Sequence, residues 1–309
     1  MKTYVGLPTD RVDLGDEFVS AAGIAELAVA AERAGFDGVY VTEHPFPVDD
    51  WLATGGHHAL DPFVALSFAA AATTRLRVFT YLCVLPYRNP FLTAKAAASL
   101  DVLSGGRLDL GVGAGYLQGE FAALGVDFDE RNELFDEAIE AVTRAWTEDG
   151  VEMTGRHFVA AGNTMRPKPV QSPRPPIWVG GNARAAIRRA AHLADGWLPM
   201  PNPRALSSRR RSAALETVDD LRGMLDVLWE ERRASGRDGR FDVLAMPFVP
   251  FLPSQPDFDV DRLAEHAAEL SALGVTGLSL GLPATGRAAH VEALGEYGES
   301  VVRVLAAIP

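Results

Sequence analysis

The sequence predicts a single (β/α)8 barrel, and three observations favour this fold class. Short runs rich in β-branched and aromatic residues alternate with longer segments whose apolar residues recur at helical spacing. Eight such pairs follow one another, as in a parallel sheet that closes on itself. The chain has 309 residues, 48% of them hydrophobic, which is enough for the roughly 250 residues that such a barrel takes.

The clearest strand, helix and strand unit lies in residues 76–121. An apolar strand over 78–85 stops at Pro86, and a segment of helical period begins after Pro90. Gly105 ends that helix, because glycine readily takes the left-handed backbone of a helix terminus. A second strand follows at 107–112, so the unit is the βαβ building block of a parallel sheet.

The remaining elements continue this alternation. The predicted strands are residues 4–7, 38–41, 78–85, 107–112, 177–179, 195–198, 241–251 and 277–280. The predicted helices are residues 21–34, 62–70, 91–104, 131–146, 183–193, 215–228, 260–273 and 288–307.

Two stretches depart from the alternation and are predicted as insertions into the one barrel domain, 1–309. The first, 113–176, includes a segment without clear period at 117–130, a small hairpin after residue 150, and a proline-rich segment that stays extended. The second, 200–212, is a basic segment with serine and proline, of the kind that is mobile.

Charge and composition restrict the partners. The net charge of −12 argues against nucleic acid or an anionic membrane surface as the main partner. A single cysteine excludes an internal disulfide, and no apolar run approaches the ~20 residues of a membrane span. The first 15 residues lack the apolar run of a signal peptide. We therefore expect a cytoplasmic protein that acts on a small molecule.

The second strand ends in two ionisable residues, Glu43 and His44. Ligands of α/β barrels bind at the carboxyl ends of the strands, where an acid beside an imidazole could move a proton. Ordinary rim residues would give the same pattern, so the sequence leaves both interpretations open.

Glycines at 111, 113 and 115 follow the fourth strand. They do not form the G-x-G-x-x-G fingerprint of dinucleotide sites, because Tyr116 and Gln118 occupy the positions of its third glycine. The cluster indicates that backbone passes close to a neighbour. That neighbour could be either a bound flat ring or an adjacent strand.

A stronger signal is the segment 180–183, where a strand ends in two glycines and a helix begins. Backbone N–H groups and the positive end of a helix dipole favour an anion such as a phosphate at this place. Phosphate sites of barrels lie among the late βα loops, which agrees with this position. A tight turn without a ligand is the alternative.

The loop 46–59 is too long for a simple connection and carries Trp51, His57 and His58. We expect the loop to face the substrate. Its three named residues and Met200 could line a pocket, and plain loop packing explains each of them equally well. Metal ligation is not expected, because no Glu or Cys stands at ligand spacing to the two histidines. Cys83 alone would be a small core residue, since its neighbours are apolar.

Four motifs taken with Glu43-His44 resemble the bacterial luciferase-like superfamily. They are TYLCVLPYRNP, LDVLSGGRLDLGVGAGY, GEFAALGVDFDER and PPIWVGGNARAAIRRAAHLADGWLP. Within the superfamily the chain is most similar to the coenzyme F420-dependent oxidoreductases. The similarity spans nearly the whole chain and is weakest over residues 201–239.

The resemblance implies a barrel that holds a flavin or 5-deazaflavin ring across its strand ends. It implies a non-proline cis peptide at the end of the third strand, matched here by Cys83-Val84, as the backing of the ring. His44 becomes the candidate proton donor, and Glu43 the residue that orients or charges it. The resemblance also assigns ribityl and phosphate contacts to Gly113, Ala114, Gly115, Gly180, Gly181, Asn182 and Ala183.

The function implied is hydride transfer between F420 and a small organic substrate. A monooxygenase that uses reduced FMN and oxygen is the alternative, and a barrel that binds a flavin without turnover is a second one. Related F420 enzymes that oxidise a sugar phosphate carry a glutamate where this chain has Tyr116. That substrate is therefore not implied. The resemblance further implies a homodimer.

Overall fold

The computed structural model describes residues 1–207, 212–237 and 239–309. Residues 208–211 of the predicted second insertion lie outside the described residues. The described part contains ten strands, of which eight close into a parallel barrel in the order β1-β10-β9-β8-β7-β4-β3-β2. The strands are β1 (Lys2–Gly6), β2 (Gly38–Val41), β3 (Arg77–Val84), β4 (Leu108–Gly113), β5 (Val151–Gly155), β6 (Phe158–Asn163), β7 (Ile177–Gly180), β8 (Gly196–Leu198), β9 (Asp242–Ala245) and β10 (Gly277–Leu280). The predicted barrel is confirmed.

Helices surround the barrel and are numbered in chain order over the described residues. They are α1 (Ala21–Ala34), α2 (Asp49–Leu52), α3 (Pro62–Ala72), α4 (Pro90–Ser104), α5 (Gln118–Ala123), α6 (Arg131–Thr147), α7 (Arg184–Leu193), α8 (Val218–Ala234), α9 (Val260–Ala272), α10 (Arg287–Tyr297) and α11 (Arg303–Ala306). None of these described helices is both long and apolar enough to cross a bilayer.

Local sequence signals set several helix ends. The side chains of Ser20, Asp61 and Asn89 accept hydrogen bonds from backbone N–H groups in the first turns of α1, α3 and α4. Gly35 and Gly105 end α1 and α4 with the left-handed backbone expected of a terminal glycine. The starts of these three helices and the ends of α1 and α4 therefore follow directly from the sequence.

Other elements differ from the prediction. The predicted strand 241–251 ends at Ala245, two residues before Pro247, which has no N–H for a strand ladder. The last helix is interrupted by a π turn at Gly298–Val302. Short helices α2 and α5 lie in segments predicted to be irregular. The hairpin of the first insertion is present, as β5 pairs antiparallel with β6.

Large rings and an ion pair fill the interior of the barrel. Tyr4, Phe79 and Trp178 form a buried cluster, with ring centroids of Phe79 at 5.5 Å from Tyr4 and 5.4 Å from Trp178. Near the amino ends of the strands, Arg77 donates to both carboxylate oxygens of Asp109 at 2.6 Å. The Tyr4 hydroxyl donates to the same carboxylate at 3.1 Å. These contacts fill the amino end, and ligands are expected at the carboxyl end.

Candidate active site

The carboxyl ends of β2, β3, β4 and β7 are adjacent in the barrel and form the rim described here. His44 follows β2 and is 9% exposed, so it belongs to the wall of the rim rather than to its outer surface. The imidazole is the side chain best suited to exchange a proton near neutral pH. The hydrogen-bond partners of His44 therefore determine which of its two nitrogens could exchange a proton.

His44 is held by Glu120, which lies in the short helix α5. The Nδ1 atom of His44 is 3.1 Å from Oε2 of Glu120, and both side chains are buried. The Tyr87 hydroxyl donates to the same oxygen at 2.8 Å, and the Phe46 amide donates to Oε1 at 3.2 Å. Because a carboxylate only accepts hydrogen bonds, this arrangement places a proton on Nδ1. Nε2 of His44 is then the nitrogen that lies outside this hydrogen bond.

The prediction that Glu43 orients His44 is wrong. Oε2 of Glu43 accepts a hydrogen bond from the Val84 amide at 2.6 Å, and Arg88 donates to Oε1. Consecutive side chains of an extended segment point to opposite sides, which separates Glu43 from the ring beside it in sequence. Glu43 thus fixes the end of β3 rather than the imidazole.

The region around Glu43 is buried. Burial raises the pKa of the Glu43 carboxyl, and the Arg88 guanidinium opposes this change. Cys83 is fully buried in the core between strands and helices, and burial raises the pKa of its thiol well above the ordinary value. The thiol therefore stays protonated, and only the backbone of Cys83 remains for the cofactor contact that the resemblance implies.

The end of β3 carries a non-proline cis peptide, but at another bond than predicted. The cis bond is Tyr81-Leu82, and the Cys83-Val84 bond is not cis. The pairing of β3 with β4 shifts register between Thr80 and Cys83, which marks a bulge at this place. A run of apolar residues does not reveal at which residue the strand bulges. The resemblance therefore placed the cis bond two residues later than the structure does.

Glycines leave the rim beside this bulge without side chains. A Cβ atom on Gly113 or Gly180 would lie 2.8 Å or 2.7 Å from the side chain of Leu82. Such distances are shorter than van der Waals contact, so neither position accepts a larger residue without movement. The two glycines of β4 and β7 therefore give room to the Leu82 side chain, which packs against their backbone beside the bulge. Ala114 is partly buried, and Gly115 packs on Val84 with a positive φ of 79°.

In the turn after β7, hydrogen bonds within the protein already use two of the groups that were predicted to bind an anion. The Gly181 amide donates to the Leu198 carbonyl at 3.1 Å. The Asn182 amide group donates to the carbonyls of Met200 at 2.6 Å and Ala213 at 3.0 Å. Ala183 precedes α7, whose first turn has no side-chain cap. The donors left for an anion are therefore backbone N–H groups at the start of α7 rather than Gly181 or the Asn182 side chain.

Three aromatic side chains surround His44. Its ring centroid lies 4.3 Å from that of Trp51, 4.9 Å from that of His57 and 6.2 Å from that of Tyr116. Trp51 and His57 come from the loop after β2, so this loop borders the rim at His44. We call these four residues the ring cluster.

Comparison with known proteins decides the family. The sequence profile described as luciferase-like monooxygenase matches residues 3–249, most of the chain. The chain belongs to the luciferase-like monooxygenase family. Members of this family are oxidoreductases, with both F420-dependent and FMN-dependent enzymes among the relatives.

Two relatives of this luciferase-like protein show the range of the family. An uncharacterized protein of Mycobacterium tuberculosis is 30% identical over 300 residues, which cover 90% of this chain and 95% of that protein. An FMNH2-dependent dimethylsulfone monooxygenase of Pseudomonas putida is 33% identical over 183 residues, covering 57% of this chain and 48% of that enzyme.

Two solved structures share the fold of the luciferase-like chain. The monooxygenase RslO1 of Streptomyces bottropensis superposes with a TM-score of 0.78 at 24% identity, covering 98% of this chain and 99% of that one. An F420-dependent secondary alcohol dehydrogenase, solved with an F420-acetone adduct, gives a TM-score of 0.71 at 17% identity, with coverage of 98% and 99%.

Sequence reasoning about this luciferase-like chain missed Glu120 and Tyr87. Both lie in motifs that carried the resemblance, GEFAALGVDFDER and TYLCVLPYRNP, yet both are far from His44 in sequence. Glu120 is fully buried although it is ionisable. A buried carboxylate is rare without partners, so an acid in a short apolar helix is the signal that could have identified it.

Proposed function

We propose that the protein is an F420-dependent oxidoreductase that transfers a hydride between the deazaflavin and a small, uncharged organic substrate. The observation that carries the proposal is the buried His44, with Nδ1 bound to Glu120 and Nε2 left for proton exchange, at the rim that also holds the β3 bulge. The motifs shared with F420-dependent members of the family support the choice of cofactor.

The described residues fit a flavin-sized cofactor. Leu82, which packs against the backbone of Gly113 and Gly180 and is partly buried, would offer an apolar side chain to a planar ring. Backbone N–H groups at the start of α7 would hold the phosphate that F420 and FMN share. Glu43 contributes indirectly, because it fixes the Val84 amide and hence the end of the bulged strand.

F420, when bound, supplies or accepts the hydride, and the protein supplies orientation and a proton. His44 gives a proton to the substrate oxygen, or takes one from it, at Nε2. Glu120 holds the ring in the tautomer that leaves Nε2 for this task, and Tyr87 and the Phe46 amide hold Glu120. Trp51 lies against the His44 ring, at 4.3 Å between centroids, and would limit the movement of the imidazole during this step.

Separate titrations of the purified protein with F420 and with FMN, followed by fluorescence, test the cofactor. We expect F420 to bind, and the protein to oxidise reduced F420 when an enone from a substrate panel is added. Binding of FMN with no binding of F420 would contradict the proposal. Binding of F420 without turnover of any enone or alcohol would indicate a non-catalytic flavin-binding barrel.

A reduced-FMN monooxygenase is the second candidate, and the 33% identity to the dimethylsulfone monooxygenase over 183 residues favours it. The α7 phosphate site and the bulge would serve FMN equally well. The two candidates differ in their need for oxygen. Turnover with reduced F420 under anaerobic conditions supports the first candidate, whereas activity that requires FMNH2 and oxygen supports the second.

We propose that the active form is a homodimer joined through α3. This helix is apolar around its whole circumference apart from Ser67, and yet Val64 and Phe68 are 58% and 46% exposed. A helix that is hydrophobic on all sides is normally buried. The neighbouring helix α4 also exposes apolar side chains, at Leu92 and Leu103. A second copy of the chain would cover this surface.

The exchange Phe68→Asp is expected to convert a dimer into a monomer in sedimentation velocity, because a charge would be buried in the interface. The matched control is Leu193→Asp, which places a charge on an exposed apolar residue at the end of α7, a helix that packs on β7 and β8 whereas α3 packs on β2 and β3. The control should sediment as the wild-type protein does. A wild-type protein that sediments as a monomer at micromolar concentration would contradict the homodimer.

A further inference from the structure

The loop after β2 places the His57 ring against His44 and Trp51. Its ring meets the His44 ring edge-on, with centroids 4.9 Å apart, and lies 5.4 Å from the Trp51 ring. A Cβ on Gly56 would come within 2.3 Å of the Trp51 ring, so glycine is required directly before His57. The Gly56 amide also donates to the Trp51 carbonyl at 3.0 Å.

The loop is fastened to the helix that carries Glu120. The Phe46 amide donates to Glu120, and a Cβ on Gly119 would lie 2.2 Å from a methyl group of Val48. Glycine at 119 thus permits close contact between α5 and the start of the loop. The same helix therefore positions His44 directly and His57 through the loop, and both rings reach one place on the rim.

His57 carries a polar atom that the protein does not satisfy. Its Nε2 is buried and has no hydrogen-bond partner among the described residues. A buried polar atom without a partner costs about 1–3 kcal/mol. Burial is the main cause that lowers the pKa of His57, and the neighbouring His44 lowers it further. The His57 ring is therefore neutral at physiological pH. A neutral ring has one nitrogen that donates and one that accepts.

We infer that His57 is a substrate-binding residue whose Nε2 hydrogen-bonds an oxygen of an uncharged carbonyl or alcohol substrate, beside the carbon that reacts. This inference rests on the proposed function. A neutral ring has no charge to offer a carboxylate or phosphate, and Trp51 and Tyr116 present aromatic surface. A ketone, enone or secondary alcohol would satisfy the unpaired nitrogen and leave its carbon skeleton against those rings.

Calorimetric titration with 2-cyclohexen-1-one tests the inference, with oxidised F420 present so that no hydride is transferred. Cyclohexene is the matched ligand without oxygen. The variants are His57→Phe, which removes the hydrogen bond, and His57→Gln, which keeps a polar group. His58→Phe is the matched control, because His58 is the adjacent residue in the same loop and is exposed.

His57→Phe is expected to bind the ketone about tenfold more weakly, the equivalent of one hydrogen bond, and cyclohexene as well as the wild type does. His57→Gln should recover part of the affinity, and His58→Phe should behave as the wild type. Unchanged ketone affinity in His57→Phe would overturn the inference. So would a wild-type protein that binds the ketone no more tightly than cyclohexene.

Failure of the proposed function is distinguishable from failure of this inference. F420 fluorescence in the same samples reports cofactor binding separately from ketone binding. A wild-type protein that does not bind F420 contradicts the proposed function. Variants that bind F420 normally and show no loss of ketone affinity contradict the role of His57 alone. Thermal melting of each variant shows whether the fold is retained.

Discussion

Replacing His44 by glutamine is expected to lower kcat about 10²- to 10⁴-fold, the usual contribution of a positioned proton donor or acceptor. Glutamine keeps a polar group of similar length but cannot pass a proton between its atoms. Cofactor affinity should stay close to that of the wild type, because the bulge and the α7 donors are untouched. The measurement is the steady-state oxidation of reduced F420 with an enone, together with F420 binding by fluorescence.

His58→Gln is the control for this exchange, since it removes an exposed imidazole from the same rim. It should retain wild-type kcat. Retention of wild-type kcat in His44→Gln would show that the proton comes from another group. Loss of F420 binding in His44→Gln would instead make the imidazole a cofactor ligand.

The second large effect on kcat is expected from replacing Glu120. Glu120→Gln should lower kcat about 10²-fold or more, because an amide no longer enforces the proton on Nδ1 of His44, and a wrong tautomer removes Nε2 from proton exchange. KM should change less than kcat, since Glu120 acts through His44. The pH profile of kcat should also change, which a purely structural defect would not produce.

Glu43→Gln is the matched comparison, because Glu43 is also a buried glutamate next to the same rim. It should reduce the free energy of unfolding by on the order of 1–3 kcal/mol, as Arg88 loses its charged partner, with a much smaller effect on kcat. Chemical denaturation and steady-state kinetics separate the two effects. Equal losses of kcat in both variants would show that Glu43 acts on the reaction as strongly as Glu120.

The barrel could be predicted from sequence because its signals are local. Strands of β-branched and aromatic residues, helix caps such as Asn89 and terminal glycines such as Gly105 each act within a few residues. Helix α5 was missed because six residues are too few to show a helical period. The element with the weakest pattern therefore carries the residue that holds His44.

The site could be predicted only where its residues adjoin strand ends. His44 was identified in this way, but its partner Glu120 lies 76 residues further along the chain. Its position next to His44 in sequence made Glu43 the predicted partner of the imidazole. Side chains alternate along extended backbone, however, so Glu43 points to the opposite side of the chain from His44. The cis bond was predicted at the wrong place for a related reason. It lies at Tyr81-Leu82, beside a bulge whose position depends on how β3 pairs with β4.

The most direct test of the account is a crystal structure of the protein soaked with F420. We expect the deazaflavin ring to lie against the Leu82 side chain near Nε2 of His44, and its phosphate to bind at the start of α7. A ring bound elsewhere on the barrel, or a His44 turned away from it, would contradict the account.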